Sequence, residues 1–244
     1  LAGLRARGAR SAGQGQREAR LADPVRLTDV NPQIADFAWG KAELVEWATD
    51  DGTELAGVLI KPDGWKPGTR LPVLVYYYRF FSHRLHLFNE PVVNHRPSFP
   101  VYASSGYAVF LPDIRFEVGR PGPSAVECLT SGIEHLVEIG VADPDAVGLH
   151  GHSWSGYQTA FVVTQTDVFA AAVAGAPVSN MTSAYSGIRL GTGLARQFQY
   201  ETSQSRIGGS LWEMPHRYIE NSPIFFADRI ETPLLIQFGD EDEA

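Results

Sequence analysis

The chain carries one cysteine, Cys128, and two methionines in 244 residues. A lone thiol excludes an intramolecular disulfide framework and a cysteine-built zinc site. No apolar run approaches the roughly 18 residues that a membrane-spanning helix needs. Basic charge is also scarce. Lys and Arg number 20 against 28 Asp and Glu, a net charge of −8. Nucleic-acid binding needs concentrated positive surface, so no such partner is expected. What remains is 44% hydrophobic and 20% charged, the make-up of an ordinary globular chain. Nothing in it selects a compartment or an oligomeric state.

The first 21 residues contain Arg5, Arg7, Arg10, Arg17 and Arg20 but no valine, isoleucine or aromatic residue. Such a stretch buries too little apolar surface to offset chain entropy. Residues 1–23 are therefore expected to be a disordered tail or misread sequence. It also lacks the unbroken apolar core of a signal peptide.

From Asp23 onward the pattern changes. Glu43–Thr49 and Thr53–Lys61 flank Asp50-Asp51-Gly52, a hairpin signal. Leu71–Tyr78 is almost continuously apolar and aromatic, as a strand buried on both faces should be. A helix over Ser98–Gly106 precedes a strand, Tyr107–Leu111. A second helix, Pro123–Gly140, sets Val126, Leu129, Ile133, Leu136 and Val137 on one stripe, with Cys128 as a buried structural thiol. Strand Ala146–His150, helix Gln158–Val163 and strand Ala170–Val173 follow. Residues 178–231 read as short helices and loops, and Pro233–Phe238 as a last strand. This alternation predicts an α/β chain with a mostly parallel sheet covered on both faces. Chemistry in such sheets gathers beyond the carboxyl ends of the strands. Tyr78, Asp113, Ser153, Pro177 and Asp242 all fall there.

Residues 148–157 read Gly-Leu-His-Gly-His-Ser-Trp-Ser-Gly-Tyr. A strand entering a small-residue turn with a serine at its apex, then a helix, is the nucleophile-elbow layout. The helix N-terminus offers unpaired N–H groups to developing negative charge. In place of G-x-S-x-G, Ser155 takes the fifth position and Gly156 follows. His150 and His152 alternate on the strand end, but no carboxylate or cysteine is spaced to complete a metal site. His152 is read as a packing or surface residue, and no cofactor is implied. Asp113 and Arg115 are read as a structural ion pair.

Four stretches together carry a resemblance: Leu-Pro-Asp-Ile-Arg at 111–115, Gly-His-Ser-Trp-Ser-Gly-Tyr at 151–157, Ala-Gly-Ala-Pro-Val-Ser at 174–179, and Asn-Ser-Pro at 221–223 with Thr232-Pro233-Leu234-Leu235. From about Val25 to Asp242 the chain resembles the prolyl oligopeptidase, or S9, serine peptidases, particularly bacterial dipeptidyl and acylaminoacyl types. The resemblance implies an α/β-hydrolase fold over residues 42–244, with its final strand and helix missing, and a remnant of the preceding β-propeller or linker over 24–41. It implies Ser153 as nucleophile, the Trp154 N–H and the Tyr78 hydroxyl as oxyanion donors, and short peptides as substrates. Where the family continues that tyrosine with small residues, Arg79 and Phe80 stand here. The triad acid falls within Gly239-Asp240-Glu241-Asp242, with Asp242 ahead of Asp240. An apolar substrate pocket would involve Met181 and Tyr185.

Triad order in this fold is Ser, then Asp, then His. All seven histidines, His83, His86, His95, His135, His150, His152 and His216, precede Asp242. The alternatives are therefore a truncated pseudoenzyme or fragment that binds peptide or a partner without turnover, and an esterase for small esters.

Overall fold

The structure is a computed structural model and describes residues 27–28, 31–91 and 93–242. The chain divides into two units, Leu1–Phe37 and Ala38–Ala244. In the first, the described residues form one 3-10 helix, Pro32–Asp36. The whole of the 1–23 tail and the start of the 24–41 segment lie outside the described residues. The last residue of that segment, Lys41, begins the first strand.

The second unit is built on a seven-stranded sheet. Strands β1 (Lys41–Ala48) and β2 (Glu54–Lys61) form the expected hairpin, paired from Lys41↔Lys61 to Ala48↔Glu54. Strands β3 (Leu71–Tyr76), β4 (Ala108–Pro112), β5 (Ala142–His152), β6 (Ala171–Gly175) and β9 (Leu234–Gln237) run parallel to one another. Spatial order is β1-β2-β4-β3-β5-β6-β9. The two short strands β7 (Ile188–Arg189) and β8 (Leu194–Ala195) pair in a separate ribbon.

Helix α1 (Phe99–Ser104) packs Phe99 and Ala103 with Val58, Ile60, Tyr76 and Leu111 on one face of the sheet. On the other face lie α2 (Pro121–Glu138) and the end of α3 (Trp154–Val162). The α2 stripe buries Leu129, Ile133 and Leu136 against Val73, Phe110 and Leu149, each core side chain contributing about 1.5–3 kcal/mol. Val126 and Val137 are only partly buried. Gly132 allows the close approach: a Cβ there would stand 3.0 Å from the Phe110 ring and 3.1 Å from Trp47. All five residues of β4 are buried, which explains its unbroken apolar composition.

Most boundaries shift by one or two residues from the sequence expectation, and two shift by four. β5 starts at Ala142, four residues early, because a register shift absorbs Asp143-Pro144-Asp145 between the Leu71↔Ala142 and Val73↔Val147 pairs. α3 starts at Trp154 rather than Gln158. Ser155 and Gly156 are poor helix formers, and the first turn exists because of the tight elbow behind it.

The Asn-Ser-Pro stretch stitches this unit together. The Asn221 carboxamide accepts from the Gly122 N–H at 2.9 Å and donates to the Gly119 carbonyl at 3.0 Å, tying the start of α2 to α6 (Pro215–Glu220). The Ser222 hydroxyl accepts from the Met181 N–H at 2.8 Å and donates to the Tyr218 carbonyl at 2.6 Å. It thereby fixes the start of α4 (Met181–Ala184), beside the carboxyl ends of the strands.

Candidate active site

Ser153 sits between β5 and α3 at φ 58, ψ −117, a conformation that L-residues rarely adopt. The surrounding small residues make this turn possible. A Cβ on Gly151 would stand 2.1 Å from the Ser155 carbonyl oxygen, and one on Gly156 would stand 2.2 Å from the Gly175 oxygen. The Ser153 N–H donates to that same Gly175 carbonyl at 2.8 Å. The irregular fifth position has a structural role. The Ser155 Oγ accepts from the His152 N–H at 2.9 Å and donates to the His152 carbonyl at 3.0 Å, so it clasps the turn on both sides of one residue.

The serine opens into a cleft of about 380 Å³. His152, Ser153, Trp154, Pro177, Met181 and Asp242 line it at the sheet edge, and Arg196, Tyr200, Gln204 and Ser205 line it from the segment after β8. Asp240 is not among the lining residues; Asp242 is. Trp154 is the first residue of α3, so its N–H has no partner within the helix. Met181 borders the cleft, whereas Tyr185 lies in the aromatic cluster with Tyr200 and Tyr218 and bonds the Glu201 carboxylate.

Tyr78 stands two residues beyond β3 and is 36% exposed. It lines a second cleft, with Arg79, Phe80 and His95, and is not among the residues lining the Ser153 cleft. The Gln204 Nε2 donates to its hydroxyl at 2.8 Å, and Gln204 in turn accepts from Gln199 at 3.0 Å. From α3, the Gln158 Nε2 donates to the Tyr78 carbonyl at 3.1 Å. The neighbouring Tyr77 points inward, its hydroxyl 2.8 Å from Thr159 Oγ1, and burial pushes its pKa up.

The expected Asp113–Arg115 ion pair is absent among the described residues. Instead the Asp113 carboxylate accepts from the N–H groups of Phe81 at 2.5 Å and Ser82 at 2.8 Å, and from the Ser82 hydroxyl at 2.6 Å. Arg115 is exposed. The nearer, unpaired N–H groups of the 79–82 loop win the carboxylate.

Three histidines gather beside the elbow. The rings of His95 and His152 lie 4.5 Å apart. Burial, with the charges of His152 and His95, pushes the His150 pKa down to about 4. Burial and His95 lower that of His152, while the Asp242 carboxylate acts in the opposite sense. Among the described residues, no group of three or more His, Cys, Asp or Glu could hold a metal ion. Nor is any described helix long and apolar enough to cross a membrane. Arg196, Gln204, Gln158 and His95 carried no signal in the sequence, because separate loops bring them to the site.

A mostly parallel sheet, helices on both faces and a serine elbow at the carboxyl edge define an α/β-hydrolase. The prolyl oligopeptidase family model matches residues 94–244, and the chain belongs to that family of peptidases. An uncharacterized peptidase of Bacillus subtilis, YuxL, is 26% identical over 238 residues, spanning 89% of this chain and 33% of the relative. A probable chloroplastic glutamyl endopeptidase of Oryza sativa subsp. japonica is 25% identical over 236 residues, covering 89% and 24%. Among solved structures, an acylaminoacyl peptidase of Pyrococcus horikoshii superposes with a TM-score of 0.63 at 23% identity, over 87% of this chain and 34% of that one. The chain thus spans about a third or less of the length of these proteins.

Proposed function

We propose that this chain is the catalytic part of a serine-type peptidase that cleaves short peptides through an acyl-enzyme on Ser153. The observation that carries the reading is the position of Ser153, held at φ 58 and opening into a cleft that Asp242 also lines. The Ser153 Oγ attacks the scissile carbonyl while a histidine base oriented by Asp242 takes its proton. That base follows the acid in the order of this fold and so is none of the seven histidines before Asp242. Negative charge on the carbonyl oxygen is met by the Trp154 N–H and the Tyr78 hydroxyl. The base then protonates the leaving amine, and water releases the acyl group by the reverse steps. The peptidase names of the relatives support a peptide rather than another acyl substrate.

The test is labelling with a fluorophosphonate, followed by hydrolysis of an aminoacyl anilide and a nitrophenyl ester. The expected result is one label on Ser153, absent from Ser153→Ala, with anilide turnover. Ester turnover without anilide turnover would make the chain an esterase. No label at all would leave a peptide-binding site without chemistry.

A further inference from the structure

The cleft wall contributed by the segment after β8 holds polar atoms that make no hydrogen bond among the described residues. Arg196 is 6% exposed and Ser205 is fully buried, and both line the cleft beside Tyr200. Arg196 Nε, Ser205 Oγ and the Tyr200 hydroxyl are each shut off from solvent, with no hydrogen-bond partner among the described residues. The Arg196 guanidinium lies 5.6 Å from the Tyr200 ring, and Arg189 adds a second positive charge at the cleft. Of the nearby carboxylates, Glu201 is bonded by Tyr185, and Asp242 acts on His152. No ion pair forms at Arg196 among the described residues.

A buried guanidinium without a counter-charge is destabilising, and three orphaned polar groups on one wall are rare in a folded chain. Their shared chemistry is that of an anion receptor. A guanidinium offers a planar fork, and two hydroxyls supply further donors, which together fit a carboxylate. A neutral side chain would leave the charge unpaired and would be rejected for that reason.

Building on the Ser153 reading above, we propose that this wall is a carboxylate subsite, in which Arg196, assisted by Ser205 and Tyr200, receives an acidic group of the bound peptide. That group is either the acidic side chain of a residue at the cleft or the peptide's terminal carboxylate.

The test uses the 244-residue chain carrying Ser153→Ala, so that binding is read without chemistry. Three peptides are titrated by calorimetry: acetyl-Ala-Glu-amide, acetyl-Ala-Gln-amide, and acetyl-Ala-Gln with a free carboxyl terminus. The expected result is binding of one acidic peptide about 10-fold or more tighter than the neutral amide. Preference for the Glu amide assigns the side chain; preference for the free acid assigns the terminus. Adding Arg196→Gln should abolish the preference, and Arg196→Lys should restore part of it. Ser205→Ala, which keeps the charge, should weaken the preference about 3-fold and serves if Arg196→Gln does not fold. Equal binding of all three peptides, binding of none, or a preference that survives loss of Arg196 overturns the proposal. Fluorophosphonate labelling of the parent chain is independent of this result. A lost label with a retained acidic preference sinks the peptidase reading alone.

Discussion

The Gln204 Nε2 donates to the Tyr78 hydroxyl at 2.8 Å, although 126 residues separate the two in the chain. A phenol that accepts one hydrogen bond has its own proton aimed elsewhere. Gln204 thus holds Tyr78 in a donating posture while itself lining the Ser153 cleft. If Tyr78 is an oxyanion donor, Tyr78→Phe should slow fluorophosphonate modification of Ser153 about 100-fold, the usual effect of removing one such donor. Gln204→Ala should slow it only about 3- to 10-fold, because the hydroxyl remains but is less well aimed. Unchanged labelling rates in both variants would remove Tyr78 from the oxyanion site.

The elbow makes two predictions, one for removing a side chain and one for adding it, at two small residues. Ser155→Gly restores the commoner motif, yet it removes two hydrogen bonds to His152 and adds backbone freedom. It should destabilise the chain by about 1–2 kcal/mol. Gly156→Ala adds a single methyl group, but it meets the Gly175 carbonyl at 2.2 Å. Backbone must move, at about 1–3 kcal/mol, and the label on Ser153 should be lost or slowed. Urea denaturation and labelling of the two variants check both values. A more stable Ser155→Gly chain would show that the clasp contributes nothing.

The elbow was legible from residue order alone, because few folds need a serine between small residues at a strand end. The same holds for the hairpin at Asp51-Gly52 and for β4, whose composition matches burial on both faces. Partner choice was not legible. Asp113 and Arg115 are two positions apart and opposite in charge, yet the carboxylate serves Phe81 and Ser82, 32 and 31 residues away. Arg196 and Gln204 lie in a stretch of short elements with no clear periodicity, α5 (Gln197–Glu201) among them. Only the tertiary fold turns such residues into the wall of a cleft.

His150 should make the chain acid-sensitive. Its pKa is about 4 in the folded chain, against about 6.5 in an unfolded one. Between those values the unfolded chain binds the proton that the folded one refuses, so stability falls as pH drops from about 6.5 toward 4. Discounted for partial exposure, the effect is on the order of 1–2 kcal/mol. Denaturation at pH 7.5, 5.5 and 4 should show the decline, and His150→Gln should flatten part of it. His152, whose pKa is also lowered, contributes in the same direction. Equal slopes in both chains would place the acid sensitivity elsewhere.

Asp113 anchors the loop that carries Tyr78. Three hydrogen bonds reach its carboxylate from Phe81 and Ser82, and the Ile114 N–H holds the Arg79 carbonyl at 2.5 Å. Asp113→Ala leaves two loop N–H groups without their acceptor and should destabilise the chain by about 2–4 kcal/mol. The loop should also loosen, slowing modification of Ser153 alongside the loss of stability. Asp113→Asn keeps one carbonyl oxygen for the two N–H groups and should recover most of both. Arg115→Ala separates this account from an ion pair. Exposed and unbonded to Asp113, Arg115 should be replaceable with a change under about 0.5 kcal/mol. If Arg115→Ala matches Asp113→Ala in urea and in labelling rate, the carboxylate is held by charge rather than by the loop.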